Sequence, residues 1–102
     1  MRKGGYVYIL TNKYNRVLYV GVTASLLKRI PEHISKIHPE SFTAKYNVNK
    51  LVYFEWLDNI ESAIKREKYF KGKSRQFKID AIEKLNSEWD DLFVKRKNLK
   101  LL

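Results

Sequence analysis

Tyr6-Val7-Tyr8-Ile9-Leu10-Thr11 and Val17-Leu18-Tyr19-Val20-Gly21-Val22 are the stretches that decide the fold. Both are rich in β-branched and aromatic residues, and the polar run Asn12-Lys13-Tyr14-Asn15-Arg16 between them suits a hairpin connection. Side chains alternate across a strand, so Tyr6, Tyr8 and Leu10 share one face and Val7 and Ile9 the other. On the second strand Val17, Tyr19 and Gly21 share a face, and Gly21 leaves room for a close approach to the backbone beside Tyr19.

Working outward, Thr23 or Ser25 suits the N-cap of a helix reaching about Ile37, with Leu26, Ile30, His33 and Ile37 on one stripe and Arg29 on its flank. Pro31 removes one helical hydrogen bond and crowds the carbonyl of Leu27, which predicts a kink or a late start. Residues 38–49 read as a polar connection around Phe42 and Tyr46, with room for one helical turn. Leu51 to Leu57 has the composition of a third strand. Asp58 or Asn59 caps a helix over 60–71 that Gly72 ends, and Ser74 caps another with Phe77, Ala81 and Leu85 facing inward. The order predicts an α/β (α+β) sandwich with a largely antiparallel sheet and helices covering it. Residues 1–93 form a single domain in this reading, and 94–102 a flexible basic tail.

A chain of 102 residues holds one core, not two. It has no cysteine, which excludes disulfides and thiolate metal sites. No apolar run approaches the roughly 18 residues of a membrane span, and Gly4-Gly5 reads as a flexible lead-in, not a signal block. The expectation is a soluble cytoplasmic protein. Lysine and arginine number 21 against 11 acids, a formal charge of +10 that draws polyanions. Seven of the basic residues fall between Lys65 and Lys78 against the single acid Glu67, and Lys95, Arg96, Lys97 and Lys100 follow near the C-terminus. Lys45, Lys65, Lys68, Lys71, Lys73 and Arg75 are the expected nucleic-acid contacts. Charge alone suits DNA, RNA and anionic lipid equally, or a merely solubilising surface.

Glu67 is the position that periodicity singles out. With Ile60, Ala63, Ile64 and Phe70 it falls on the inward stripe of its helix, where a carboxylate loses hydration. Something positive should meet it: a lysine or arginine in a structural ion pair, or a divalent ion such as Mg²⁺ with waters and a phosphate completing its shell. Arg29 offers a planar fork suited to a phosphate, or to Glu32 nearby. Tyr8 and Tyr19 are sheet filler or a pair of phenols across the hairpin; a phenol beside a cation loses its proton more readily and can then serve as a general base. His33 is a buried histidine, or one that orients a tyrosine and shuttles a proton.

These residues match a known pattern. The chain resembles the GIY-YIG nuclease superfamily, in particular its small single-domain bacterial branch. Its first motif stands as Tyr6-Val7-Tyr8 and its second as Tyr19-Val20-Gly21, with Arg29, His33 and Glu67 at the family's arginine, histidine and glutamate. Phe42-Thr43-Ala44-Lys45-Tyr46-Asn47, Ala63-Ile64-Lys65-Arg66-Glu67-Lys68 and Leu85-Asn86-Ser87-Glu88-Trp89 extend the likeness over roughly residues 5 to 93. The resemblance implies a three-stranded antiparallel sheet flanked by helices, and hydrolysis of DNA phosphodiesters with one Mg²⁺ or Mn²⁺ held mainly by Glu67. Tyr8 becomes the general base or the phenol that positions the attacking water, and Tyr19 a partner of the reacting phosphate. Arg29 becomes the stabiliser of phosphoryl charge, His33 the support of this network, and Asn86 a further polar contributor.

Two positions depart from the family pattern. Pro31 stands between Arg29 and His33, where it threatens to turn His33 away, and the first motif begins with tyrosine where the family has glycine. With no recognition domain attached, nicked, branched or single-stranded DNA is the expected substrate. The competing reading is a non-catalytic DNA- or RNA-binding module in which tyrosines stack and basic helices hold phosphates. A structural protein that docks partners through the short acidic and aromatic stretch Asn86 to Phe93 is a third.

Overall fold

The centre of the molecule is β1 (Gly5–Thr11), which pairs antiparallel with both β2 (Leu18–Thr23) and β3 (Lys50–Leu57) to give the strand order β2-β1-β3. This computed structural model describes residues 3–99; Lys100 and the rest of 100–102, expected as part of the tail, lie outside the described residues. Around the sheet run α1 (Leu26–Ile34), α2 (Phe42–Lys45), α3 (Ile60–Lys71), α4 (Arg75–Leu85) and α5 (Leu92–Leu99). The α+β architecture with a three-stranded antiparallel sheet is the one the sequence predicts.

Alternation along β1 sorts the core into two layers. Tyr8 and Leu10 pack with Leu26 and Ile30 of α1, Val48, Leu51 and Leu92 of α5. Val7 and Ile9 pack on the other face with Val20, Val52, Phe70 of α3 and Ile82 of α4. Val7, Ile9, Leu10 and Ile30 are wholly buried, each contributing about 1.5–3 kcal/mol relative to exposure. On β3 the register slips between Ile9 and Leu10, so that Tyr53 faces Ile9 while Leu51 faces Leu10. Val52 is the extra residue of this bulge, which lets Val52 and Tyr53 both join the α3 layer despite being neighbours.

The helix ends follow their capping chemistry. Ser25, Asn59 and Ser74 each accept a backbone N–H from three residues on, and Gly72 ends α3. α1 stops earlier than the predicted Ile37. Lys36, at φ 54°, donates its N–H to the His33 carbonyl, and Ile37 donates to that of Glu32, a closing pair that unwinds the chain. Pro31 sits inside α1 without ending it, and the hydroxyl and N–H of Ser35 take up its carbonyl at 2.9 Å.

Other expectations need correction. Gly4 and Gly5 are buried, and a Cβ on Gly5 would lie 2.9 Å from that of Ala63, so this pair is packed rather than a flexible lead-in. In α4 Phe77 and Ala81 pack inward beside the buried Ile82 as expected, while Leu85 is 55% exposed; in α3 Ile64 faces outward. The segment predicted as tail enters α5, which docks Leu92 into the Tyr8 layer.

Candidate active site

Tyr8 projects from the central strand and is 1% exposed. Its ring fills the space that a side chain at position 21 would take: a Cβ on Gly21 would stand 2.4 Å from the Tyr8 hydroxyl oxygen. What approaches the Gly21 backbone closely is therefore the phenol itself. The Tyr8 hydroxyl meets His33 Nε2 at 3.0 Å, and His33 Nδ1 meets Thr43 Oγ1 at 3.0 Å, with Ser41 Oγ a further 3.3 Å from that hydroxyl. Tyr19 sits diagonally across the hairpin, because Leu10 is its direct partner; its ring centre lies 6.4 Å from that of Tyr8 and 5.9 Å from His33. Pro31 thus leaves His33 aimed at the two phenols.

Burial, helped by the nearby Arg29 charge, depresses His33 to about 4 and keeps the imidazole neutral at physiological pH. Burial likewise pushes Tyr8 up to about 12, although the nearby Arg29 guanidinium works in the opposite direction. Desolvation outweighs the cation, so the prediction that Tyr8 loses its proton readily is not met before a ligand arrives. Tyr8 in turn raises Arg29 further, holding it cationic. With the Arg29 cation drawing on the phenol oxygen, we assign the Tyr8 proton to Nε2 of His33 and the single ring proton to the Thr43 hydroxyl.

Arg29 also donates through Nη1 to Glu32 Oε1 at 3.1 Å and keeps a third of its side chain exposed. Tyr19, Arg29, Glu32, His33 and Phe42 line an open pocket of about 200 Å³. Glu67 arrives from the other layer, since α3 crosses β1 and β2 on the Val7 face. It nevertheless acts electrostatically on the Tyr8 hydroxyl, and its partner Lys71 stands 5.9 Å over the Tyr19 ring, which places both near the rim of β2. Glu67 Oε2 holds Lys71 Nζ at 2.9 Å, with 14% of the glutamate side chain exposed. Of the two readings of this acid, the ion pair is the one present.

Among the described residues no three His, Cys, Asp or Glu side chains cluster to cage a metal. A single carboxylate oxygen donor does fit Mg²⁺ or Mn²⁺ bound with water and substrate phosphate. Asn86 stands apart from this constellation. Its Nδ2 donates to the carbonyls of Val52 and Asp90 and its Oδ1 accepts from Asp90 N–H, so it ties α4 to β3 and its amide is occupied.

Lys65, Lys68, Lys71, Lys73 and Arg75 are all exposed. Lys73 lies over the Tyr69 ring at 4.6 Å, and Lys45 reaches Glu40 at 3.6 Å. Arg66 of the same basic run is spent on Glu55 at 2.9 Å. Sequence reasoning missed Thr43 and Ser41, which orient His33 from a four-residue helix; such a short segment carries no periodicity to flag them.

The family model for the GIY-YIG catalytic domain matches residues 4–80. A UPF0213 protein of Syntrophus aciditrophicus is 36% identical over 78 residues, covering 76% of this chain and 88% of its own. A UPF0213 protein of Clostridium perfringens is 42% identical over 81 residues, covering 76% of this chain and 81% of its own. The solution NMR structure of a UPF0213 protein from Bacillus halodurans superposes with a TM-score of 0.54 at 26% identity, over 87% of this chain and 93% of that one. None of these relatives' names states a reaction.

Proposed function

We propose, on the footing that the chain belongs to the GIY-YIG catalytic-domain family, that it is a metal-dependent endonuclease hydrolysing DNA phosphodiesters, in DNA repair or processing in the cytoplasm. The observation that carries the reading is the line Tyr8–His33–Thr43 beneath a pocket flanked by Arg29 and Tyr19. A lone phenol near 12 is too weakly acidic to supply a phenolate at neutral pH. A phenol whose proton has an imidazole acceptor 3.0 Å away can act without forming one.

A bound phosphodiester places its negative charge beside Arg29, whose fork stabilises the phosphoryl oxygens as charge builds in the transition state. Tyr19 donates to one of those oxygens. Tyr8 positions a water; as the water oxygen bonds to phosphorus, its proton passes to the Tyr8 oxygen and the Tyr8 proton passes to His33 Nε2. The bond from phosphorus to the 3′ oxygen breaks, and that oxygen is protonated from solvent. Phosphate charge offsets the Arg29 field that disfavours imidazolium, so the proton becomes easier for His33 to accept. Mg²⁺ or Mn²⁺, held by Glu67 and phosphate oxygens, would supply charge neutralisation at the departing oxygen. The exposed lysines of α3 and its C-terminal flank hold neighbouring phosphates.

A second reading, a non-catalytic DNA- or RNA-binding module, is favoured by one feature: an ammonium already neutralises Glu67. Linear, nicked, branched and single-stranded DNA incubated with Mg²⁺ or Mn²⁺, against chelated controls, separates the two. Cutting that disappears in Glu67→Gln and Arg29→Ala supports the nuclease. Binding without cutting across the panel supports the module, and cutting retained by both variants rejects the site.

A further inference from the structure

We propose that Phe42 and Tyr46 form a ledge on which an unpaired DNA base stacks, so that the site selects single-stranded or locally unpaired DNA. The inference rests on the nuclease reading above and specifies its substrate.

α2 buries Thr43, at 5% exposure, and Ala44, at 7%, against the body of the protein, with Ser41 accepting the Ala44 N–H at 3.3 Å. The same short turn leaves Phe42 47% and Tyr46 55% exposed. Their rings are 4.8 Å apart between centres, and Phe42 lies 6.3 Å from Tyr19 at an interplanar angle of 24°. A continuous aromatic row therefore runs from Tyr19 of the site to the surface, on a turn whose other side is buried. Phe42 also lines the pocket of Arg29 and His33, so the row begins where the phosphodiester would sit.

Cations flank this row. Lys45, with 59% of its side chain exposed and Glu40 3.6 Å away, lies between the two ledge residues in the chain, and Lys71, the partner of Glu67, stands over Tyr19. An apolar patch among lysines matches a ligand that carries anionic charge and flat π-faces together. A nucleotide whose base is free has both. Paired bases in duplex DNA present only their edges, and their faces are stacked on neighbours, so the ledge has little to grip there.

The test uses the full chain carrying Glu67→Gln, with chelator and no divalent ion, so that affinity is read without cleavage. Fluorescence anisotropy is measured for a short oligo-dT strand and for a blunt duplex of equal length at one salt concentration. Phe42→Ala and Tyr46→Ala should each weaken single-strand binding about tenfold while leaving the duplex within about twofold. Phe42→Leu, which keeps an apolar residue but removes the ring, should behave like Phe42→Ala, and Phe42→Trp should restore binding. Thermal melting within a few degrees of the parent shows that the variants are folded. Equal weakening on both DNA forms, or none on either, overturns the ledge, as does full single-strand affinity in Phe42→Leu. Absence of cleavage by the unaltered chain, with single-strand selectivity intact, would remove the nuclease reading and leave the ledge standing.

Discussion

Glu67 and Lys71 stand one helical turn apart with Oε2 and Nζ 2.9 Å from each other, so the carboxylate proposed to hold a divalent ion already has a cation. Binding of Mn²⁺ competes with the ammonium. Lys71→Ala should tighten Mn²⁺ binding by about two- to fivefold, the scale of a partly exposed i,i+4 pair. Calorimetric titration checks this, and Glu67→Gln should abolish the gain.

Acid should weaken the fold through His33. The unfolded chain takes up its proton near the ordinary 6.5, whereas the folded chain resists until about 4, because burial and the Arg29 charge disfavour the imidazolium. Between those values the unfolded state binds more protons, so the contribution of neutral His33 is complete above about pH 6.5 and is lost as pH falls toward 4. At about 1.4 kcal/mol per unit this reaches roughly 3 kcal/mol. Urea denaturation at neutral pH and near 4.5 should show the loss in the parent and a flatter profile in His33→Gln.

Gly21→Ala should damage both fold and site. Its methyl would fall 2.4 Å from the Cζ and hydroxyl oxygen of a Tyr8 ring that has nowhere to retreat. Overpacking of this kind costs about 1–3 kcal/mol. Chemical denaturation should report that loss, and cleavage should fall further than stability alone accounts for, since the phenol leaves its 3.0 Å contact with Nε2.

Asn86→Ala separates stability from chemistry. Removing the amide leaves the buried carbonyl of Val52 without this donor, a cost of about 1–3 kcal/mol. At a temperature where the variant is fully folded, its cleavage rate should match the parent. A selective loss of turnover with unchanged stability would return Asn86 to the catalytic group.

Strong local signals made much of the fold legible. The period-two pattern of Tyr6 to Thr11 and of Val17 to Val22 located β1 and β2 within a residue, and Asn59 and Gly72 bounded α3 as their capping chemistry predicts. In α4 the stripe of Phe77, Ala81 and Leu85 was right for the first two, but the face that meets the core is centred on Ile82, which turns Leu85 outward. The bulge at Val52 depends on what lies opposite it, which a single strand's sequence does not carry. At the site, Tyr8, Tyr19, Arg29 and His33 were readable from spacing and family motifs, while the Thr43 and Ser41 hydroxyls became visible only once α2 folded against α1. The role of Asn86 was not legible because a buried amide looks the same in sequence whether it meets a substrate or two backbone carbonyls.

The arrival of Glu67 from the layer opposite Tyr8 makes the rim of β2 a seam where the two layers flanking the sheet meet. A mutation or partner that lets α3 lift from the sheet would leave the tyrosine–histidine line assembled and remove the acid. On the proposed nuclease reading, seating of α3 is thereby a built-in safety catch: a chain that has not completed its tertiary packing would lack the acid, however well its hairpin is formed.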